Sequence, residues 1–234
     1  MNPYRARRGL AALAALTVLA LPLAVFVRWA GPLEYYGGGE FPRGQAAYLM
    51  MRPAGHLAFG LLFLQVLLGT QHERLGRWLG VRTLLPWHRA LGVMAIGFAL
   101  LHPLLFAWAR SLRSGRLELF ATLLPNPAEN YWERMLFVGA LALYALLLGA
   151  LAAACGPRVA PRGWLWVHRI NYAAFGLAFW HGISVGAETR LPQLLVFYWA
   201  LFALGLAALM EKTLRTWRRA GGKPALRPES LSPL

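Results

Sequence analysis

Two stretches decide the fold: WHRALGVMAIGFALLHPLLF, residues 87–106, and WVHRINYAAFGLAFWH, residues 166–181. Both are apolar along most of their length, and each carries a histidine toward either end. His88 and His102 are fourteen positions apart, and His168 and His181 are thirteen apart. An α-helix rises about 1.5 Å per residue, so each pair is separated by roughly 20 Å along its axis. The hydrocarbon core of a bilayer is about 30 Å thick. Each helix therefore offers one imidazole near each leaflet, and two such helices side by side offer two imidazole pairs at two depths.

Composition places these helices in a membrane. Of 234 residues, 58% are hydrophobic and only 14% charged, against about 25% charged in soluble proteins. The net charge of +15 would suggest a nucleic-acid partner in a soluble chain. Here the basic residues lie mainly between apolar runs, so topology explains them and no nucleic-acid partner is expected.

Working outward from the two stretches, six apolar segments can be drawn, at 10–30, 54–70, 87–108, 132–154, 166–185 and 191–210. Most approach the length of about 20 residues that spans a bilayer, and the second is short. Basic residues cluster before the first segment, between the second and third, between the fourth and fifth, and after the sixth. That side holds 16 of the 24 Lys and Arg and 3 of the 9 acids, a net of +13, and leaves +2 for the other side. The expectation is an all-α membrane protein, a six-transmembrane-helix bundle in the inner (plasma) membrane with both termini cytoplasmic. Residues 1–210 form the transmembrane domain and 211–234 a basic cytoplasmic tail. The first segment is expected to stay as a helix, since no clear small-residue cleavage site follows it. A glycine run at 37–39 reads as a flexible external loop. LELFATLL, 117–124, followed by Pro125 and Pro127, reads as an interfacial helix stopped by prolines.

Imidazoles in lipid are costly unless paired or ligated, and intramembrane ionisable groups are functional candidates. A lone histidine would more often be an interhelical hydrogen-bonder. Four at matched depths favour axial ligation of two b-type haems, with His88 paired to His168 on the cytoplasmic side and His102 to His181 on the outer side. Two imidazoles per iron leave no open position, so the chemistry is outer-sphere electron transfer. The sole cysteine, Cys155, excludes a C-x-x-C-H attachment and a four-cysteine cluster, so any haem is held noncovalently. Arg89 and Arg169 follow the two inner ligands. They suit haem propionates, and they suit positive-inside anchoring equally well. Gly92, Gly97, Gly176 and Gly182 would admit a flat porphyrin or serve ordinary close packing. His72 reads as solvated. His56 reads as a buried hydrogen-bonder, with a quinone or partner contact as the rarer role.

Helical phase fits one pair better than the other. Fourteen residues return within about 40° of the start, whereas thirteen miss by about 140° on a straight helix. A crossing angle, a local π-bulge or differently tilted haems could absorb the difference between His168 and His181, and the sequence does not say which.

At these residues the chain resembles the ferric reductase-like transmembrane domain, the membrane core of ferric reductases and NADPH oxidases, over roughly 54–210. The resemblance implies six spans, two haems b between the third and fifth helices, and ligand spacings of fourteen and thirteen. Those spacings match His88 with His102 and His168 with His181. It also implies an electron-transfer component of an oxidoreductase. Donors would be a flavoprotein reductase bearing FMN or FAD, or a membrane quinol, and the acceptor would lie outside the cytoplasm. No G-x-G-x-x-G motif follows a strand, so no flavin or nicotinamide domain is expected within these 234 residues. This is the pattern of a stand-alone bacterial member, such as the haem-binding membrane subunit of periplasmic methionine sulfoxide reductase systems. Those subunits typically carry arginine where His88 stands, so His88 favours two haems. A different class, a metal or proton transporter using the same histidines, would call for further carboxylate or thiol ligands within the spans, and the spans hold almost none.

Overall fold

The structure, a computed structural model, describes residues 3–30, 42–159 and 163–221. Among these residues it is all helix and turn. The helices are α1 (Pro3–Ala30), α2 (Gln45–Thr70), α3 (His72–Leu79), α4 (Val81–Ser114), α5 (Leu119–Leu123), α6 (Tyr131–Val159), α7 (Trp164–His168), α8 (Asn171–Val185) and α9 (Pro192–Gly221). A 3-10 turn, Glu188–Arg190, lies between α8 and α9. Five helices (α1, α2, α4, α6 and α9) are long and apolar enough to cross a membrane. The chain is a multi-pass membrane protein. Leu10, Leu13, Leu16 and Val27 of α1, and Val93 and Trp108 of α4, are exposed; lipid covers such surfaces where water would not.

The segment expected at 166–185 is not one helix. It divides into α7 and α8 at Arg169–Ile170. Around the break, Ile170 N–H donates to the Val167 carbonyl (3.1 Å) and Tyr172 N–H to the Arg169 carbonyl (3.0 Å). Both bonds skip three residues, the 3-10 pattern, which turns about 120° per residue where an α-helix turns about 100°. The extra rotation has the sign needed to reduce the phase mismatch between His168 and His181.

Other boundaries also move. The second helix begins at Gln45, nine residues before the expected start, and carries Pro53 inside it. Proline costs a helix one hydrogen bond, but burial of Ala47 and Leu49 on the preceding turns outweighs that loss. Gly44 begins this helix at φ +80°, and a Cβ there would lie 2.6 Å from the Ala109 carbonyl oxygen, so only glycine lets α2 start this close to α4. The third segment runs on to Ser114, leaving α5 as a five-residue helix where a longer interfacial one was expected. Residues 211–221, expected in the tail, continue α9 as helix. The glycine run at 37–39 and residues 222–234 lie outside the described residues.

The core is aromatic and sits where α2, α8 and α9 meet. Phe59 stacks on Phe175 at 5.4 Å and on Tyr198 at 4.6 Å, and Phe179 stacks on Phe202 at 4.0 Å. At the end bearing α3, ion pairs tie α9 to α3, and hydrogen bonds tie it to α2 and α8. Arg219 grips Glu73 through both oxygens (2.7 and 2.9 Å), and Arg74 pairs with Glu211. Lys212 donates to the Gly69 carbonyl and to the Tyr172 hydroxyl, each at 3.0 Å. The two histidine-bearing helices do not pack chiefly on each other. α4 lies along α2, and α8 lies along α6.

Candidate haem site

All four candidate histidines meet across the space between α4 and α7–α8. His88 of α4 faces His168, the last residue of α7, with ring centroids 6.2 Å apart and planes at 76°. His102 of α4 faces His181 of α8 at the same 6.2 Å, with planes at 80°. These are the pairs that matched depth predicts. A metal atom bonded to two opposed imidazole nitrogens at about 2 Å each would set the ring centroids roughly 6 Å apart. The spacing therefore fits one atom between each pair of rings.

Ring tautomers are set from outside each pair. His102 Nδ1–H donates to the Met51 carbonyl on α2 at 2.8 Å, and His181 Nδ1–H donates to the Met135 carbonyl on α6 at 2.8 Å. His168 Nδ1–H donates to the Gly149 carbonyl on α6 at 3.0 Å. A carbonyl can only accept, so each of these nitrogens carries the proton and Nε2 keeps its lone pair. That is the ligating form, held by the outer hydrogen bond typical of metal-bound imidazole. Asn171 adds to the His168 site, its amide nitrogen 3.4 Å from Nδ1. The Asn171 Oδ1 is buried without a hydrogen bond. Turning the amide over would give the His168 N–H a second acceptor.

Two imidazoles alone are too few for a bare cation, which takes four or more ligands. Among the described residues, no group of three or more His, Cys, Asp or Glu is placed to hold one. An axial pair suffices only for a metal whose other ligands come from its own macrocycle, and haem is such a group. The outer pair opens into a cavity of about 1380 Å³, mouth included, walled by Phe59, Leu62, Ala99, Leu143 and Ala178. The apolar walls suit the faces of a porphyrin.

The family model described as "Ferric reductase like transmembrane component" matches residues 54–179. The chain belongs to this family. No curated protein and no solved structure matches it. Domains of the ferric reductase-like family generally bind haem and act as membrane electron-transfer components. The matched span includes His88, His102 and His168 and stops two residues short of His181.

The other candidates fall differently in this ferric reductase-like chain. Arg89 and Arg169 are exposed at the end bearing α3, and the Arg169 guanidinium lies over the Trp166 ring at 4.5 Å. Neither touches an imidazole pair. His72 is exposed. His56 is a buried hydrogen-bonder, its Nδ1 2.6 Å from the Tyr198 hydroxyl. Gly97 faces open space, and a Cβ on Gly92 would meet only Gln65 at ordinary contact distance. The glycines that matter to the rings are instead Gly55 and Gly139, with the His102 and His181 imidazoles directly over them.

The sequence reading missed a buried cluster beside the outer pair. Glu188 is 2% exposed and lies 3.0 Å from Arg52 and 3.7 Å from His56 Nε2. Arg52 also lies over the rings of Trp29 and Tyr48. A short linker holding Glu188 between two apolar helices is a weak signal, but it was the only visible one.

Proposed function

We propose that this chain is a di-haem b membrane cytochrome that carries electrons outward across the membrane. The observation that carries the reading is the pair of equal 6.2 Å imidazole separations at two depths. In this reading α7 and α8 together make the sixth span, both termini are cytoplasmic, and the membrane is the inner (plasma) membrane.

His88 and His168 hold the inner site, and His102 and His181 hold the outer. Haem b supplies a reversible one-electron couple when bound at each. The chain's own part is positional. The four imidazoles would hold the two irons, and with both ligands of each supplied by the chain neither oxygen nor substrate would have a place there. Carbonyls of Met51, Met135 and Gly149 fix three ring orientations. Phe59, Phe175 and Phe179 pack into a buried aromatic cluster on the α2–α8–α9 side of the two sites. In this reading Arg89 and Arg169, exposed next in sequence to His88 and His168, neutralise the inner propionates, and the basic face offers a dock for an acidic flavoprotein. A flavoprotein or membrane quinol supplies electrons, and an external acceptor receives them.

Reduced-minus-oxidised spectroscopy of paired variants tests this reading. His102→Ala with His181→Ala should remove one haem b signal and His88→Ala with His168→Ala the other. Spectra unchanged by both double variants would overturn it.

A further inference from the structure

The outer imidazoles share one device, built twice. His102 belongs to α4 but is seated on α2; His181 belongs to α8 but is seated on α6. In each seat the ring N–H donates to a carbonyl that lies four residues before a glycine, Met51 before Gly55 and Met135 before Gly139. In an α-helix that glycine's own N–H already bonds to the same carbonyl. The oxygen has a second lone pair for the imidazole, but the ring can reach it only across the face where the glycine side chain would stand. A Cβ on Gly55 would lie 2.9 Å from His102 Nδ1 and 3.1 Å from Cε1. A Cβ on Gly139 would lie 2.6 Å from His181 Nδ1 and 2.8 Å from Cε1.

The structure assigns Gly55 and Gly139 as positioning residues of the outer haem site, each paired with the carbonyl one turn before it to form an imidazole seat. This rests on the haem reading above. The inner site lacks the matched device. At Gly149 the side chain that would collide is Asn171, not an imidazole. The two seats explain why Nδ1 of both outer rings carries the proton and why both Nε2 atoms are left for iron.

Gly55→Ala and Gly139→Ala test the assignment, with Gly9→Ala on α1 as control, since nothing lies within 4 Å of a Cβ at Gly9. Alanine favours helix over glycine, so helix weakening does not account for a loss. Haem content and the EPR signals of the ferric protein, which report the angle between axial ring planes, are read on the full chain. The expected result is about 10–100-fold weaker haem binding at the outer site, or a displaced outer EPR signal. The inner signal in the same sample should persist, showing that the bundle is folded. The Gly55 variant, with the milder clash, serves if the Gly139 variant fails to accumulate. Wild-type haem content and signals in both variants would overturn the seats alone. A wild-type chain without haem would overturn the electron-transfer reading and the seats with it.

Discussion

Arg52 donates to Glu188 at 3.0 Å, across 136 positions of sequence, with Glu188 almost fully buried. The contact ties the α8–α9 linker to α2 beside the outer imidazole pair. Burial alone would raise the Glu188 carboxyl, but His56 and the Arg52 guanidinium outweigh it and hold it below its ordinary value. A carboxyl with a depressed folded pKa stabilises the fold above its unfolded pKa of about 4.3, and that stability is lost as pH falls through the folded value. Thermal unfolding in detergent should therefore show a loss of stability below about pH 4 that Glu188→Gln removes. An unchanged acid slope in the variant would contradict the assignment.

The same substitution has a cost at neutral pH. It leaves the half-buried Arg52 beside a neutral amide, and breaking a buried pair from one side destabilises by at most about 3–5 kcal/mol. A midpoint shift by urea or heat measures it. A neutral outcome would mean that the pair is solvated.

Asn171→Leu should disturb the inner site and spare the outer, because Asn171 touches His168 and neither outer histidine. Loss of such an outer-shell partner weakens metal affinity about 10-fold or more. Resolved haem signals distinguish the two sites. An effect confined to the outer signal would contradict the pairing.

Lys212→Met should loosen the end bearing α3. Its ammonium joins the Gly69 carbonyl on α2 to Tyr172 on α8, and an unsatisfied partner costs about 1–3 kcal/mol. Thermal unfolding reads the loss. A variant as stable as wild type would show that water replaces the ammonium.

If an acidic flavoprotein is the donor, haem reduction should slow as ionic strength rises, since attraction beyond about 10 Å is screened at 0.1 M salt. A salt-independent rate, with reduction by quinol alone, would favour the membrane donor.

The histidine pairs were legible because depth in a bilayer is a one-dimensional quantity that spacing along a helix encodes directly. The thirteen-residue spacing signalled a phase mismatch between His168 and His181, but not that a helix break would reduce it. The break lies at Arg169–Ile170, immediately after the ligand. The seats were not legible, because the Met51 and Met135 carbonyls come from helices far away in sequence and a backbone oxygen leaves no residue signature. Nor was the true start of α2: the expected span begins at residue 54, whereas burial of Leu49 carries the helix back through Pro53 to Gln45. The run of α9 beyond Met210 follows from Glu211, Lys212 and Arg215, whose partners lie on α2, α3 and α8.

The central claim concerns two irons, each between two imidazoles. A pyridine haemochrome assay on protein purified from haem-replete cells measures haem b per chain most directly. The account predicts about two per chain, each with the low-spin spectrum of paired imidazole ligands. No haem b, or haem b retained unchanged after all four histidines are replaced, would contradict it.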